Sequence, residues 1–301
     1  MSVTVRVPAK VNVQLAVGAA RADGFHDLAN VFLAVGLYDE VTVTPADALR
    51  VTCEGPDAGQ VPLDVTNLAA RAAIALAERY GRTPDVHLHI AKDIPVAGGM
   101  AGGSADGAGA LLACDALWGT GATRDELLEI CAELGSDVPF SLVGGAALGT
   151  GRGEKLTPLE AGGTFHWVFA MAERGLSTPS VFREFDRLAQ GRDIPEPVAS
   201  RQLLDALAEG DPDALAATVS NDLQPAALSL FPELADTLAA GHAAGALATL
   251  VSGSGPTTAF LARDTTAAAK IAEALRTSGT CRTVRMAAGP APGATVVEDR
   301  P

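Results

Sequence analysis

Hydrophobic and polar positions alternate from the third residue. "VTVRVPAKVNVQLAV" alternates at first and then reads as extended, which predicts a strand with Pro8-Ala9-Lys10 at its middle. "GAARADGFHD" is a polar loop, and "LANVFLAVGL", "DEVTVTPA" and "LRVTCEG" are strand-like. Asn67 is placed to cap a helix over "LAARAAIALAERYG", closed by Gly81. "DVHLHIAKDIP" alternates strictly and stops at Pro95. A glycine-rich loop follows. A helix is predicted from Ser104 to about Trp118, and another after a Thr123 cap. "SDVPF" reads as a short turn, and "GGAALGTGRGEKLTPL" as two strands around a tight glycine turn.

The second half has a different rhythm. "FHWVFAMA" predicts a strand, followed by helical segments near 180–190, 200–208, 211–219 and 231–243. "ALATLVSGSGPTTAFLA" is a strand, a glycine turn and a strand. A helix near Asp264 and a strand over "CRTVRMAA" come next. "GPAPGATVVEDRP" is expected to be a loosely packed end. The order of elements is α+β with no internal repeat. The boundaries expected are 1–157 for a first domain, 158–290 for a second and 291–301 for the tail.

Composition narrows the function classes. Of 301 residues 48% are hydrophobic and only 4% aromatic, so a large core built from aliphatic side chains is expected. The formal charge of −14 argues against nucleic-acid or anionic-membrane binding, which need basic surfaces. It leaves room for a phosphorylated small molecule, because backbone N–H groups can hold one inside an acidic protein. Cys53, Cys114, Cys131 and Cys281 form no CxxC pair, as in a reducing compartment. No leader and no membrane span are evident, so a cytoplasmic location is expected.

The loop "IPVAGGMAGGSADGAGALLACD" carries the first chemistry. It lacks the GK[ST] ending of a Walker loop. Its glycine spacing also fails the dinucleotide fingerprint, because no strand intervenes before Glu126. What remains is a strand, a run of glycines whose amides can turn inward, and a helix N-terminus facing the same place. That arrangement suits a nucleotide triphosphate. By itself it equally describes a tight turn that lets a helix pack closely.

Five motifs occur in order: "PAKVNVQLAV", "DGFHDLANVFLAVGLYDEV", "KDIPVAGGMAGGSADGAGALLA", "LGSDVPFSLVGGAALGTGRGE" and "LVSGSGPTTAFL". Together they resemble the GHMP kinase superfamily. PAKVN, DG(F/Y)H and GSDVPF resemble its branch that phosphorylates a CDP-linked polyol of the non-mevalonate isoprenoid pathway. The resemblance implies a two-domain α+β fold, with an N-terminal ribosomal-protein-S5-like α/β domain and a C-terminal ferredoxin-like α+β domain. It implies ATP with Mg²⁺, a small-molecule acceptor, no nucleic acid or membrane partner, and a monomer or weak homodimer. Another GHMP kinase, such as a homoserine kinase, and a catalytically silent binding protein of the same fold are the alternatives.

The same resemblance assigns residues. Pro95, Val96, Ala97, Gly98, Gly99, Met100, Ala101, Gly102, Gly103 and Ser104 would cradle ATP. Asp137 would be the general base and Lys10 its partner. Asp137 could instead cap a turn, and Lys10 could sit on an edge strand. Asn12 would hold the polyol or Asp137. His26 would read the cytosine edge between Phe25 and Phe182, and Gly253, Ser254 and Gly255 would close over the acceptor. Ala101 and Ala105 depart from the usual glycine and serine. Ala101 still offers its N–H to a ligand if its φ is negative. Asp106 reads as a carboxylate complementing the helix dipole rather than a magnesium ligand. His87 and His89 share a strand face, but a zinc site would need two more ligands.

Overall fold

A computed structural model describes residues 2–96 and 98–297. Strand β1 spans Val3–Ala20, and the two strand-like segments after the polar loop are one strand, β2 (His26–Pro45). The two pair antiparallel, with register shifts at Pro8/Ala9, Asn12/Gln14 and Val17/Ala20. The first shift falls at a proline, which cannot donate to the ladder and favours a bulge. The bulges re-aim the side chains around Lys10 and Asn12, both of which are buried.

Strand β3 (Arg50–Glu54) lies parallel to β4 (Val86–Ala91), and helix α1 (Leu68–Arg79) connects them. The Asn67 side chain accepts from Ala69 N–H, as the cap predicts. Helix α2 (Gly102–Trp118) begins two residues before the predicted Ser104, because Ala101 is already in the left-handed conformation that starts its first turn. Small residues bring α2 close to the sheet: a Cβ on Gly109 would stand 2.9 Å from Val41. Helix α3 (Arg124–Leu134) carries the expected Thr123 cap, completed by Glu126 into a capping box.

The "SDVPF" turn is in fact the start of helix α4 (Val138–Val143). Pro139 is tolerated in a first turn because its missing N–H has no intrahelical partner to lose. Strands β5 (Ala146–Thr150) and β6 (Lys155–Leu159) form the glycine hairpin; their pairing runs through Leu159, two residues past the expected boundary at 157.

Strand β7 (Phe165–Met171) opens the second unit, followed by α5 (Thr178–Ala189), α6 (Arg201–Glu209), α7 (Pro212–Ala216) and the short β8 (Ser220–Asn221). Helix α8 (Gln224–Leu230) was not predicted; it is short and carries a proline in its first turn, so its period is hard to see. Then come α9 (Leu234–Ala243), β9 (Ala248–Val251), β10 (Thr258–Ala262), α10 (Thr265–Ser278), β11 (Thr283–Gly289) and β12 (Thr295–Val297). The second sheet runs β11-β7-β10-β9, antiparallel throughout. Helix α10 covers it through Ile271 and Leu275, packed with Val168 and Phe260. This is the ferredoxin-like half of the α+β fold.

The tail corrects an expectation. Instead of fraying, residues 290–297 return to the first sheet. Ala291 is buried, Gly145 N–H donates to its carbonyl (2.8 Å), and β12 pairs with β1 at Val5–Val296. The first sheet therefore runs β12-β1-β2-β4-β3, with β5 and β6 branching from β2. One apolar core includes Val11 and Leu33 of the first sheet with Trp167 and Leu261 of the second. No helix among the described residues is long and apolar enough to cross a membrane.

Candidate active site

Lys10 stands at the centre of the site, at the bulge in β1. Its backbone N–H donates to Met100 O (3.3 Å), and its Nζ donates to Asn12 Oδ1 (2.6 Å) and Gly99 O (2.8 Å). Asp137 Oδ2 lies 3.7 Å from the same nitrogen. Asn12 Nδ2 in turn donates to Asn30 Oδ1 (2.7 Å), which fixes the amide. Burial strips water from Lys10 and pulls its pKa below the ordinary lysine value, while Asp137 works against that shift. Asp137 is 31% exposed and opens to the cleft. It occupies the first position before α4, yet its side chain makes no capping bond, so the turn-cap reading finds no support.

The glycine loop wraps this lysine. Gly99 has φ +73°, and a Cβ there would stand 2.1 Å from Ser252 O, so only glycine allows the two loops to meet. Gly99 O also accepts from Ser252 Oγ (3.1 Å). Ala101 has φ +62° and is the only non-glycine among the described residues with a positive φ. The condition under which its N–H was expected to serve a ligand is therefore not met. The first intrahelical bond of α2 runs from Ala105 N–H to Ala101 O (2.8 Å). The amides of Gly102, Gly103 and Ser104 precede it, at the positive end of a long helix.

The second glycine turn sits on top. Asn221 Nδ2 donates to Val251 O (2.8 Å) and Gly253 O (2.7 Å), and Thr178 Oγ1 meets Ser254 Oγ at 2.7 Å. A Cβ on Gly253 would be 3.1 Å from Asn12 Oδ1 and 3.2 Å from Lys10 Nζ.

A cleft of about 630 Å³ joins these parts. Gly98, Gly99, Ala101, Gly102, Gly103 and Ser104 line one wall, and Gly253 and Ser254 another. Lys10, Asn12 and Asp137 lie between them, with Phe25, His26 and Phe182 at the far end. His26 is buried; its Nε2 is 2.8 Å from Asp186 Oδ1, and its ring packs on Phe182 at 5.0 Å. Phe25 is 49% exposed under the Arg152 guanidinium, 5.1 Å from the ring centre.

Not every expected residue reaches the cleft. Met100 points into the core, and Pro95 and Val96 run behind the loop. Gly255 lies beneath its turn, its Cβ direction blocked by Val251. Ala97 lies outside the described residues.

The largest surprise lies behind the loop. Lys92 Nζ donates to Asp39 Oδ2 (2.5 Å) and Asp106 Oδ2 (2.8 Å), all three side chains being almost wholly buried. Asp39 Oδ1 accepts from the backbone N–H groups of Asp93 and Ile94, both at 2.8 Å. A Cβ on Gly102 would lie 2.9 Å from Lys92 Nζ, so the ammonium abuts the first turn of α2. Asp106, near the N-terminal end of α2, is thus also the buried partner of Lys92. Burial pushes its carboxyl up to about 7, with Lys92 opposing and Asp39 reinforcing the shift. Burial also works against the Lys92 charge, but the two carboxylates overcome it and hold its pKa above the ordinary value. Asp106 Oδ1 has no hydrogen-bond partner among the described residues. On the other side, Arg282 grips Asp57 through two bonds (2.6 and 2.9 Å), joining the second sheet to the segment before α1. His87 and His89 share Thr52 Oγ1, at 2.7 and 2.9 Å.

Comparison with known proteins fits this geometry. The N-terminal domain of the GHMP kinases matches residues 67–145, and their C-terminal domain matches residues 203–281. A 4-diphosphocytidyl-2-C-methyl-D-erythritol kinase of Streptomyces coelicolor is 82% identical over 299 residues, covering 99% of this chain and 100% of its own. The enzyme of that name from Thermobifida fusca is 60% identical over 98% of both chains. A crystal structure of a 4-(cytidine 5'-diphospho)-2C-methyl-D-erythritol kinase superposes with a TM-score of 0.75 at 33% identity, over 94% of this chain and 98% of that one. A homoserine kinase from Cytophaga hutchinsonii, at 21% identity and a TM-score of 0.74 over 98% and 97% of the two chains, shares the fold.

Proposed function

We propose, since this chain belongs to the GHMP kinases and within them to the 4-diphosphocytidyl-2-C-methyl-D-erythritol kinases, that it moves the γ-phosphoryl group of ATP to the 2-hydroxyl of that CDP-linked polyol. The observation that carries the reading is the 3.7 Å pair of Lys10 and Asp137, set between the α2 N-terminus and the aromatic end of the cleft. The division into 1–157 and 158–290 then has a functional meaning: one unit supplies the phosphate wall, the other the wall over the acceptor.

The phosphates of ATP lie on the amides of Gly102, Gly103 and Ser104, where backbone dipoles offset their charge. Asp137 takes the proton of the acceptor hydroxyl as its oxygen bonds to the γ-phosphorus and the bond to ADP breaks. Lys10, held by Asn12 and Gly99, offsets negative charge growing on the oxygen. Asp186 accepts from His26 Nε2–H, which leaves Nδ1 free as an acceptor for the cytosine amino group. The base stacks between Phe25 and Phe182.

Mg²⁺ would find Ser104 and Asp137 as oxygen donors on the cleft, in keeping with an ion held mainly by phosphates and water. Asp106 is committed to Lys92 and does not reach it. When bound, the ion would neutralise phosphate charge.

ADP release with ATP, Mg²⁺ and the CDP-linked polyol tests the reading. Turnover is expected. Turnover of homoserine, with none of the CDP-linked acceptor, overturns it.

A further inference from the structure

Strand β2 works as a ruler along the cleft. His26, Leu28 and Asn30 alternate on one face, and all three line the cleft. His26 marks the base end. Asn30 marks the reacting end, through Asn12 and Lys10. Four steps along the strand separate them, roughly 13 Å. Between them, Leu28 N–H donates to Gly151 O (2.8 Å), which anchors the β5–β6 turn at the midpoint. The turn is rigid: Gly153 N–H bonds Thr150 O at 3.0 Å, and Glu154 accepts from Arg152 N–H at 2.7 Å. Its tip is Arg152.

The charge balance of the cleft makes that placement matter. Asp137 and Asp186 line it, in a chain of net charge −14. The ammonium of Lys10 is already engaged by Asn12, Gly99 and Asp137. Two guanidinium groups remain on the walls, Arg152 and Arg183, and neither forms an ion pair among the described residues. Arg183 donates to Ser180 Oγ on α5, beside Phe182 at the base end. Arg152 springs from the turn anchored at Leu28 and lays its guanidinium over the Phe25 ring, on the side of the base end that faces the rest of the acceptor.

Resting on the acceptor assignment above, we infer that Arg152 is a specificity residue for the diphosphate of the acceptor. Its guanidinium packs on Phe25 and meets the phosphate oxygens that link base and polyol. A planar fork suits that task, since it can stack on a ring and donate to phosphate with the same group. The site would thus distinguish a nucleoside diphosphate from the bare nucleoside by charge, and cytosine from other bases by His26.

Calorimetric titration with cytidine, CMP and CDP tests this on the whole chain. The parent protein should bind CDP more tightly than cytidine. Arg152→Gln should weaken CDP about tenfold, the scale of a lost charged hydrogen bond, and leave cytidine within about twofold. Arg152→Lys should recover part of the loss. Equal losses for cytidine and CDP would make Arg152 only a stacking surface and overturn the inference. So would unchanged CDP binding in Arg152→Gln, or a selective loss found instead in Arg183→Gln. If the parent binds none of the three, the base-pocket reading falls together with this one.

Discussion

Gly253 lies so close above Lys10 that a Cβ on it would stand 3.2 Å from the ammonium nitrogen. The glycine loop reaches the same lysine from the other side through Gly99 O (2.8 Å). The lysine is therefore enclosed by both units of the chain, and neither alone surrounds it.

Asp137→Asn keeps the shape of the site and removes the carboxylate proposed as its base. It should lower kcat about 10²–10⁴-fold, the usual worth of general-base catalysis, with KM for ATP changed less than about threefold. Steady-state kinetics in both substrates checks this; a near-parental kcat would remove Asp137 from that role.

The depressed pKa of Lys10 gives activity and stability opposite responses to alkali. Activity should fall on the alkaline side below the ordinary lysine value of 10.5, as the ammonium loses its proton. In the same window the unfolded chain still binds the proton that the folded chain has lost. Unfolding therefore takes up protons, and the Lys10 contribution to stability rises with pH. A pH–rate profile beside denaturant melts of the parent and Lys10→Met separates the two effects. An alkaline limb at or above 10.5 in the parent contradicts the reading.

Lys92→Met leaves two carboxylates facing each other in the core and should cost about 3–5 kcal/mol, as for other broken buried pairs. Asp106→Asn tests the titration. With the folded pKa raised from 3.8 to about 7, the folded state binds more protons between those values, so this contribution to stability is present at low pH and lost as pH rises through about 7. Parental urea midpoints should fall between pH 5 and pH 8 relative to those of Asp106→Asn. Parallel curves for the two proteins would show that Asp106 does not titrate there.

Ala101 holds a left-handed backbone with an L side chain. Ala101→Gly should leave stability within about 0.5 kcal/mol, since relief of strain is offset by greater freedom of the unfolded chain. Ala101→Val should destabilise by about 1–2 kcal/mol and raise KM for ATP, because a β-branched residue resists this φ. Equal melting curves for the two variants would contradict that account.

Phe182→Ala should raise KM for the CDP-linked acceptor about tenfold, the worth of a lost base–aromatic stack, while KM for ATP stays near parental. Equal changes in both constants would point to a collapsed fold rather than a lost stacking wall.

Strands, caps and loops were legible because they are local. Asn67 and Thr123 cap where their spacing says they should, whereas the strand expected to run to Pro95 stops at Ala91, where the chain turns toward the buried Lys92 cluster. The motifs also carried Lys10, Asp137 and His26, which the fold brings together in one cleft. The Lys92–Asp39–Asp106 cluster was not legible. Its members come from the stretch after β4, from β2 and from α2, and each looks like an ordinary surface charge in its own neighbourhood. Asp186 and Arg152 were missed for the same reason: each matters through a partner far along the chain. The start of α2 was misplaced because no local rule favours alanine in a left-handed turn.

The pairing of β12 with β1 also bears on how the protein is made. The strand that begins the first sheet is bordered by a segment that lies far downstream of it in the chain. Until that segment emerges, one edge of β1 offers unpaired amides and carbonyls to any neighbouring nascent chain. The site thus forms on a sheet whose border is closed by residues far along the chain from those it borders.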